Sequence, residues 1–348
     1  MKMAIGVLAG IALVAGSVGA QGLYPPDAPK QPGSPTWLKR LANLPPFNPP
    51  RLADGTPDLQ GTWGGPNGGD DIEEHDYVDV SSPPEETYIS DPPGGRVPYQ
   101  PWALARRNEI RAGLARGWPG EKERLYTDPQ TFCLYTVPRA TTRGGFEIVQ
   151  APGYVLMVFN FAHYYRAIPL NALPHASSTV KQWMGNSRGR WDGNTLVVDV
   201  TGITGKNWLD QVGNFFSDNV HVVERFTLVE ANTIDYEVTI DDPTVFTRPW
   251  KMRLPLKRGR QDENWENACY EGNQDAEVAR ELGYRWFPGV SSATLTPSLK
   301  PPTPKAAVWT FGSWLGLGVT ASAAGSCRGP AARVARAGTR GCPSVPHP

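Results

Sequence analysis

At 348 residues the chain is long enough for one large or two ordinary domains with a substantial core. Its 37 glycines and 35 prolines favour turns and extended segments over long helices. Formal net charge is zero, but all 34 acids and only 26 of the bases fall in residues 21–281, a net of −8. An acidic body without a basic stripe argues against nucleic acid as a partner.

Residues 1–20 combine Lys2, an apolar run from Ala4 to Val14 and the small exit Val18-Gly19-Ala20. This is the pattern of a secretory signal peptide; the alternative, an uncleaved anchor, needs a longer apolar run. Residues 21–56 read as an extended proline-rich arm, with prolines at 45, 46, 49 and 50. Pro57–Trp63 reads as a turn entering a first strand. The glycine-rich loop 64–69 lacks the Gly-Lys-Ser/Thr ending of a phosphate cradle.

A helix is expected over Pro101–Gly117, with proline at its start and glycine at its stop. Arg106, Arg107, Arg111 and Arg116 make it basic, which reads as a solvated face. Phe146–Gln150 and Tyr154–Ile168 form a hairpin across Pro152-Gly153. In the second arm Val155, Met157, Phe159 and Phe161 share a face that His163 and Tyr165 would continue.

The core of the chain is residues 181–256. Thr195–Thr201 and Val220–Val229 are dense in β-branched residues, and Thr233–Ile240 and Trp250–Lys257 alternate with a period of two. The expected fold is therefore mainly β: an antiparallel meander, a lipocalin-like barrel or a strongly curved sheet over residues 57–290, with one or two short helices. A short helix is expected over 274–282, stopped by Gly283. Residues 291–348 form a low-complexity tail, read as disordered. Its uncharged stretch 306–327, followed by four arginines, offers weak C-terminal membrane association as an alternative.

Of four cysteines, Cys133 and Cys269 lie in the body, and export permits their pairing. No Cys-x-x-Cys or His-x-x-x-His spacing supports zinc, and no cofactor is expected. Asp218, His221 and Glu224 would cluster on a helix. The valines between them specify a strand instead, on which Glu224 joins Val222, Phe226 and Leu228 while His221 joins Arg225.

Trp183-Met-Gly-Asn-Ser-Arg-Gly-Arg-Trp-Asp-Gly-Asn-Thr-Leu-Val-Val-Asp199, Trp208-Leu-Asp210, Ser217-Asp-Asn-Val-His-Val-Val-Glu-Arg-Phe226, Tyr236-Glu-Val-Thr-Ile-Asp-Asp-Pro243 and Thr247-Arg-Pro-Trp250 resemble a group of secreted bacterial proteins to which no activity is assigned, as does Pro57-Asp-Leu-Gln-Gly-Thr-Trp63. The resemblance spans roughly residues 50–275 and implies export and a β-rich body. Cys133-Leu-Tyr-Thr-Val-Pro-Arg139 departs from it, lacking a proline and a glycine after the cysteine. Gly61-Thr62-Trp63 is also similar to the opening of lipocalin-like barrels, which implies barrel topology and no particular ligand.

Two functions follow as expectations. The first is an exported, periplasmic or extracellular, binding protein for a small apolar or aromatic molecule. Its ligand would be held by Arg190, Trp183, Trp191, Trp208, Tyr236, His163 and Tyr165. The second is a lyase, isomerase or hydrolase on the same scaffold, using Glu224, Asp199 and His221 for acid–base chemistry. Gly185-Asn-Ser187-Arg-Gly189 fits a nucleophile pattern by letter but precedes a strand, not a helix.

Overall fold

The computed structural model describes residues 29–66, 71–75, 84–114, 126–259, 263–269, 271 and 285–286. The expected signal peptide, the 274–282 helix and the tail lie outside them.

The expected β architecture is present. Among the described residues ten strands form one sheet: β1 (Gly61–Gly64), β2 (Ile89–Asp91) and then β4 (Gly145–Ala151), β5 (Tyr154–Phe159), β6 (Tyr165–Pro169), β7 (Asn186–Asp192), β8 (Thr195–Thr201), β9 (His221–Glu230), β10 (Thr233–Asp241) and β11 (Trp250–Arg258). β3 (Tyr126–Thr127) pairs in parallel with β12 (Arg285–Trp286), apart from that sheet. The order β6-β5-β4-β1-β11-β10-β9-β8-β7 is antiparallel throughout, with β2 added beside β11. Because β1 pairs with both β4 and β11, the first strand draws the two halves of the meander into a nearly closed barrel.

Stepping through the antiparallel pairs leaves β6 and β7 running the same way. No ladder joins them, and side chains close this seam instead. Arg166 donates to Ser187 Oγ at 3.1 Å across it. Gly189 lies so near β6 that a Cβ there would come within 2.8 Å of Ile168 and Leu170. Only glycine lets the two strands approach that closely.

Alternation fixes what faces inward. Val222, Glu224, Phe226 and Leu228 of β9 are buried between half-exposed neighbours, as are Trp250, Met252, Leu254 and Leu256 of β11. Trp63 explains the Gly61-Thr62-Trp63 opening. Arg258 lays its guanidinium 4.3 Å from the Trp63 ring centre and donates to Gln60 O, in space that a Cβ on Gly61 would fill.

Two findings differ from the sequence reading. The proline-rich arm contains a helix, α1 (Ser34–Leu41), which lies against β2 and β11. Its Trp37 donates to Asp235 Oδ1 at 2.8 Å, so part of the supposed solvent face of β10 is buried. Tyr154–Ile168 is also not one strand. Ala162 and His163, both left-handed, turn the chain between β5 and β6.

The remaining helices pack onto the barrel frame. α2 (Pro101–Gly113) starts at the expected proline. A buried segment from Tyr135 through α3 (Arg139–Thr142) leads into β4, and the expected disulfide Cys133–Cys269 ties its start to the 263–269 segment, with Cα atoms 5.8 Å apart. Among the described residues no helix is long and apolar enough to cross a membrane.

Candidate functional site

Glu224 faces the barrel interior, as the strand period requires, and none of its surface reaches solvent. Its register partners Val198 and Val238 are apolar, so its donors come from elsewhere. Arg166 of β6 donates to Oε2 at 2.5 Å; Tyr236 and Thr141 donate to Oε1 at 2.8 and 3.3 Å. Three separate parts of the chain thus converge on one carboxylate.

Arg166 also reaches Ser187 and lies 3.8 Å from Met157 Sδ, while its Nε is buried without a protein acceptor. Burial first, and then the Glu224 charge, hold the Tyr236 hydroxyl well above its ordinary value, so Tyr236 acts as a donor here. One aromatic ring adjoins the polar group, with Phe226 4.9 Å from the Tyr236 ring; the register partners Val198, Val238 and Met157 are aliphatic. Chemically, this is an enclosed charge pair with an undercommitted guanidinium, set among apolar side chains that include Phe226.

The other expected site residues separate. Asp199 and His221 lie on the outward face of β8 and β9, opposite to Glu224. The three carboxylate and imidazole groups therefore cannot act on one substrate as a set. Asp199 has a second partner that the sequence did not announce: His175 in the β6–β7 connection lies 2.7 Å from Oδ1, and His221 lies 2.9 Å from Oδ2.

Of the expected ligand contacts, only Tyr236 belongs to the Glu224 group. Trp191 shares the inward face of β7 with Ser187 and packs against the core, whereas Arg190 is exposed on the other face. Trp208 is fully buried in the β8–β9 connection, bridged to Phe215, and serves as core. Trp183 is half-buried just ahead of β7. His163 pairs with Glu266 at the surface, and Tyr165 is 69% exposed, because the left-handed turn resets the alternation that would have carried them inward.

A second buried polar group also escaped the sequence reading. Arg107, expected on a solvated face, is buried; it reaches Glu73 at 3.2 Å and Asn214 at 3.1 Å. Arg111 pairs with Asp71 at 2.9 Å. Asp210 accepts from the backbone of Ile72, Val212 and Asn214 and from the Asn214 amide. Burial first, then the nearby Asp71 charge, pushes Asp210 up to about 7. These contacts fasten α2 and residues 71–75 to the β8–β9 connection, a structural arrangement. A helical signal did exist: Ala103, Arg107 and Ile110 share one face at helical spacing, and all three are buried.

Among the described residues no group of three or more His, Cys, Asp or Glu side chains could hold a metal ion. In comparisons with protein-family models, with curated proteins and with solved structures, nothing matches this chain.

Proposed function

We propose that this is an exported binding protein whose barrel interior takes a small molecule with an apolar or aromatic body and one polar group. The observation that carries this reading is the Arg166–Glu224 pair, fully enclosed and joined by Tyr236, Thr141 and Ser187. A buried ion pair is a poor way to stabilise a core, since apolar packing of the same volume does as well or better. Its retention in an aromatic interior fits recognition, where a few convergent polar groups orient a ligand that apolar walls enclose. The free Arg166 Nε supplies a donor for such a group. The opening segment of the chain and the Cys133–Cys269 disulfide support export.

Native mass spectrometry of the full chain, purified from its own host, tests the reading. The expected spectrum shows a retained small molecule on the wild type that Glu224→Gln no longer holds. Bare protein for both, or equal retention by both, would rule the site out.

A further inference from the structure

Hydrogen bonding inside the barrel is unbalanced at the seam between β6 and β7. Glu224 accepts from Arg166, Tyr236 and Thr141, so both of its oxygens are supplied. Arg166 Nη2 is committed to Glu224 and Ser187, and Nη1 faces Met157 Sδ at 3.8 Å. Arg166 Nε has no acceptor, on a side chain that is 1% exposed. Across the seam, on the inward face of β7, Trp191 Nε1 is buried without an acceptor as well. Both unmet groups can give a hydrogen and can accept none.

Their surroundings are apolar. Trp191, Leu196, Phe226 and Tyr236 are successive register partners across β7, β8, β9 and β10. Gly189, Val198, Glu224 and Val238 make the adjoining row, and the Tyr236 hydroxyl reaches from the first row to Glu224 in the second. Glu224 is the one charged residue on these two rows, and Arg166 opposes it.

We infer that the ligand of this site is an uncharged carbonyl compound, a ketone or an ester on an apolar body, whose oxygen accepts from Arg166 Nε–H. The inference rests on the binding function proposed above and narrows it to one chemical class. A carboxylate or phosphate would meet the donor but add a second negative charge beside Glu224, with no further cation on these rows to oppose it. An ammonium would bring donors to a place where donors are already in excess. A plain hydrocarbon would suit the walls but leave Arg166 Nε buried and unpaired, forfeiting a hydrogen bond where the low dielectric makes it strong. A carbonyl oxygen brings two lone pairs, no hydrogen and no net charge. It answers the unmet donor without disturbing the pair that Glu224 already makes.

Four probes of one ring size separate the classes: acetophenone, ethylbenzene, benzoate and benzylammonium. Each is titrated at neutral pH into the oxidised, nitrogen-labelled full chain, and NMR follows the assigned side-chain Nε–H signal of Arg166. Acetophenone is expected to shift that signal and to bind at least about tenfold more tightly than each of the other three. In Arg166→Lys, which keeps a cation opposite Glu224 but has no Nε–H, its advantage over ethylbenzene should shrink to about twofold or less. If that variant does not fold, the wild-type signal decides alone: acetophenone bound in the barrel with Arg166 Nε–H unmoved overturns the inference. Benzoate, benzylammonium or ethylbenzene binding as tightly as acetophenone would also overturn it, while leaving a binding site of another class. If no probe moves any signal from an inward-facing barrel residue, the site itself fails, and the proposed function with it.

Discussion

Arg166 Nη2 lies 2.5 Å from Glu224 Oε2, and this contact joins one edge strand of the barrel, β6, to β9, the third strand in from the other edge. The same guanidinium reaches Ser187 on β7. One side chain therefore bridges the seam and neutralises the buried carboxylate.

Breaking that pair should cost far more than removing it. Arg166→Met leaves Glu224 enclosed with only two hydroxyl donors, and Glu224→Leu strands the guanidinium. Each is expected to lose about 3–5 kcal/mol in urea unfolding. The double variant Arg166→Met/Glu224→Leu should recover most of the loss, because no buried charge remains. Additive losses in the double variant would mean that the two side chains are not coupled.

The α2 contacts give a sharper contrast between neighbours. Arg107→Ala leaves Glu73 and Asn214 short of a donor beneath the helix and is expected to destabilise by about 3 kcal/mol. Arg106→Ala removes a partly exposed pair with Glu109 and should cost about 0.5 kcal/mol. Equal effects in denaturant titration would place Arg107 in solvent after all.

Stability should fall as the pH rises from about 4 to about 7. Asp210 is held above its unfolded value by burial and by Asp71, so over that interval the folded state binds the extra proton. His221 adds to the same direction at the upper end, since its raised value means its contribution is lost as the pH climbs through it. Asp210→Asn should flatten the slope in urea midpoints measured at pH 5, 6 and 7.5. An unchanged slope would show that Asp210 is ionised throughout.

Loss of the disulfide is the simplest test of how the segment leading to α3 is held. Cys133 and Cys269 are 136 positions apart, so their link closes a long loop. The Cys133→Ser/Cys269→Ser variant is expected to be about 2–5 kcal/mol less stable than the oxidised protein. Little or no change in the unfolding midpoint would mean that the segment docks unaided.

The strands of β9, β10 and β11 were legible because each has one buried face, and a period of two then leaves little choice of register. Glu224 was placed inward by that rule alone. Its partner was less accessible, because only the three-dimensional seam brings Arg166 to the carboxylate. α1 was hidden among prolines, with Ser34 and Trp37 its only buried residues. The burial of Arg107 depends on Asp71 and Glu73, more than thirty positions earlier in a segment without periodicity. Tyr165 and His163 were misplaced because no glycine or proline marks the turn at Ala162. His175 sits in a stretch whose pattern carries no signal, and its contacts appear only once Asn186 and Asp199 are adjacent.

The most direct measurement is a crystal structure of the protein purified from its own host without denaturation, inspected at the Arg166–Glu224–Tyr236 group. The expected result is a bound small molecule between aromatic side chains, with a polar atom within hydrogen-bond distance of Arg166. A barrel interior filled by protein side chains alone, with the pair intact and no foreign molecule, would contradict the binding function and leave Glu224 as a structural residue.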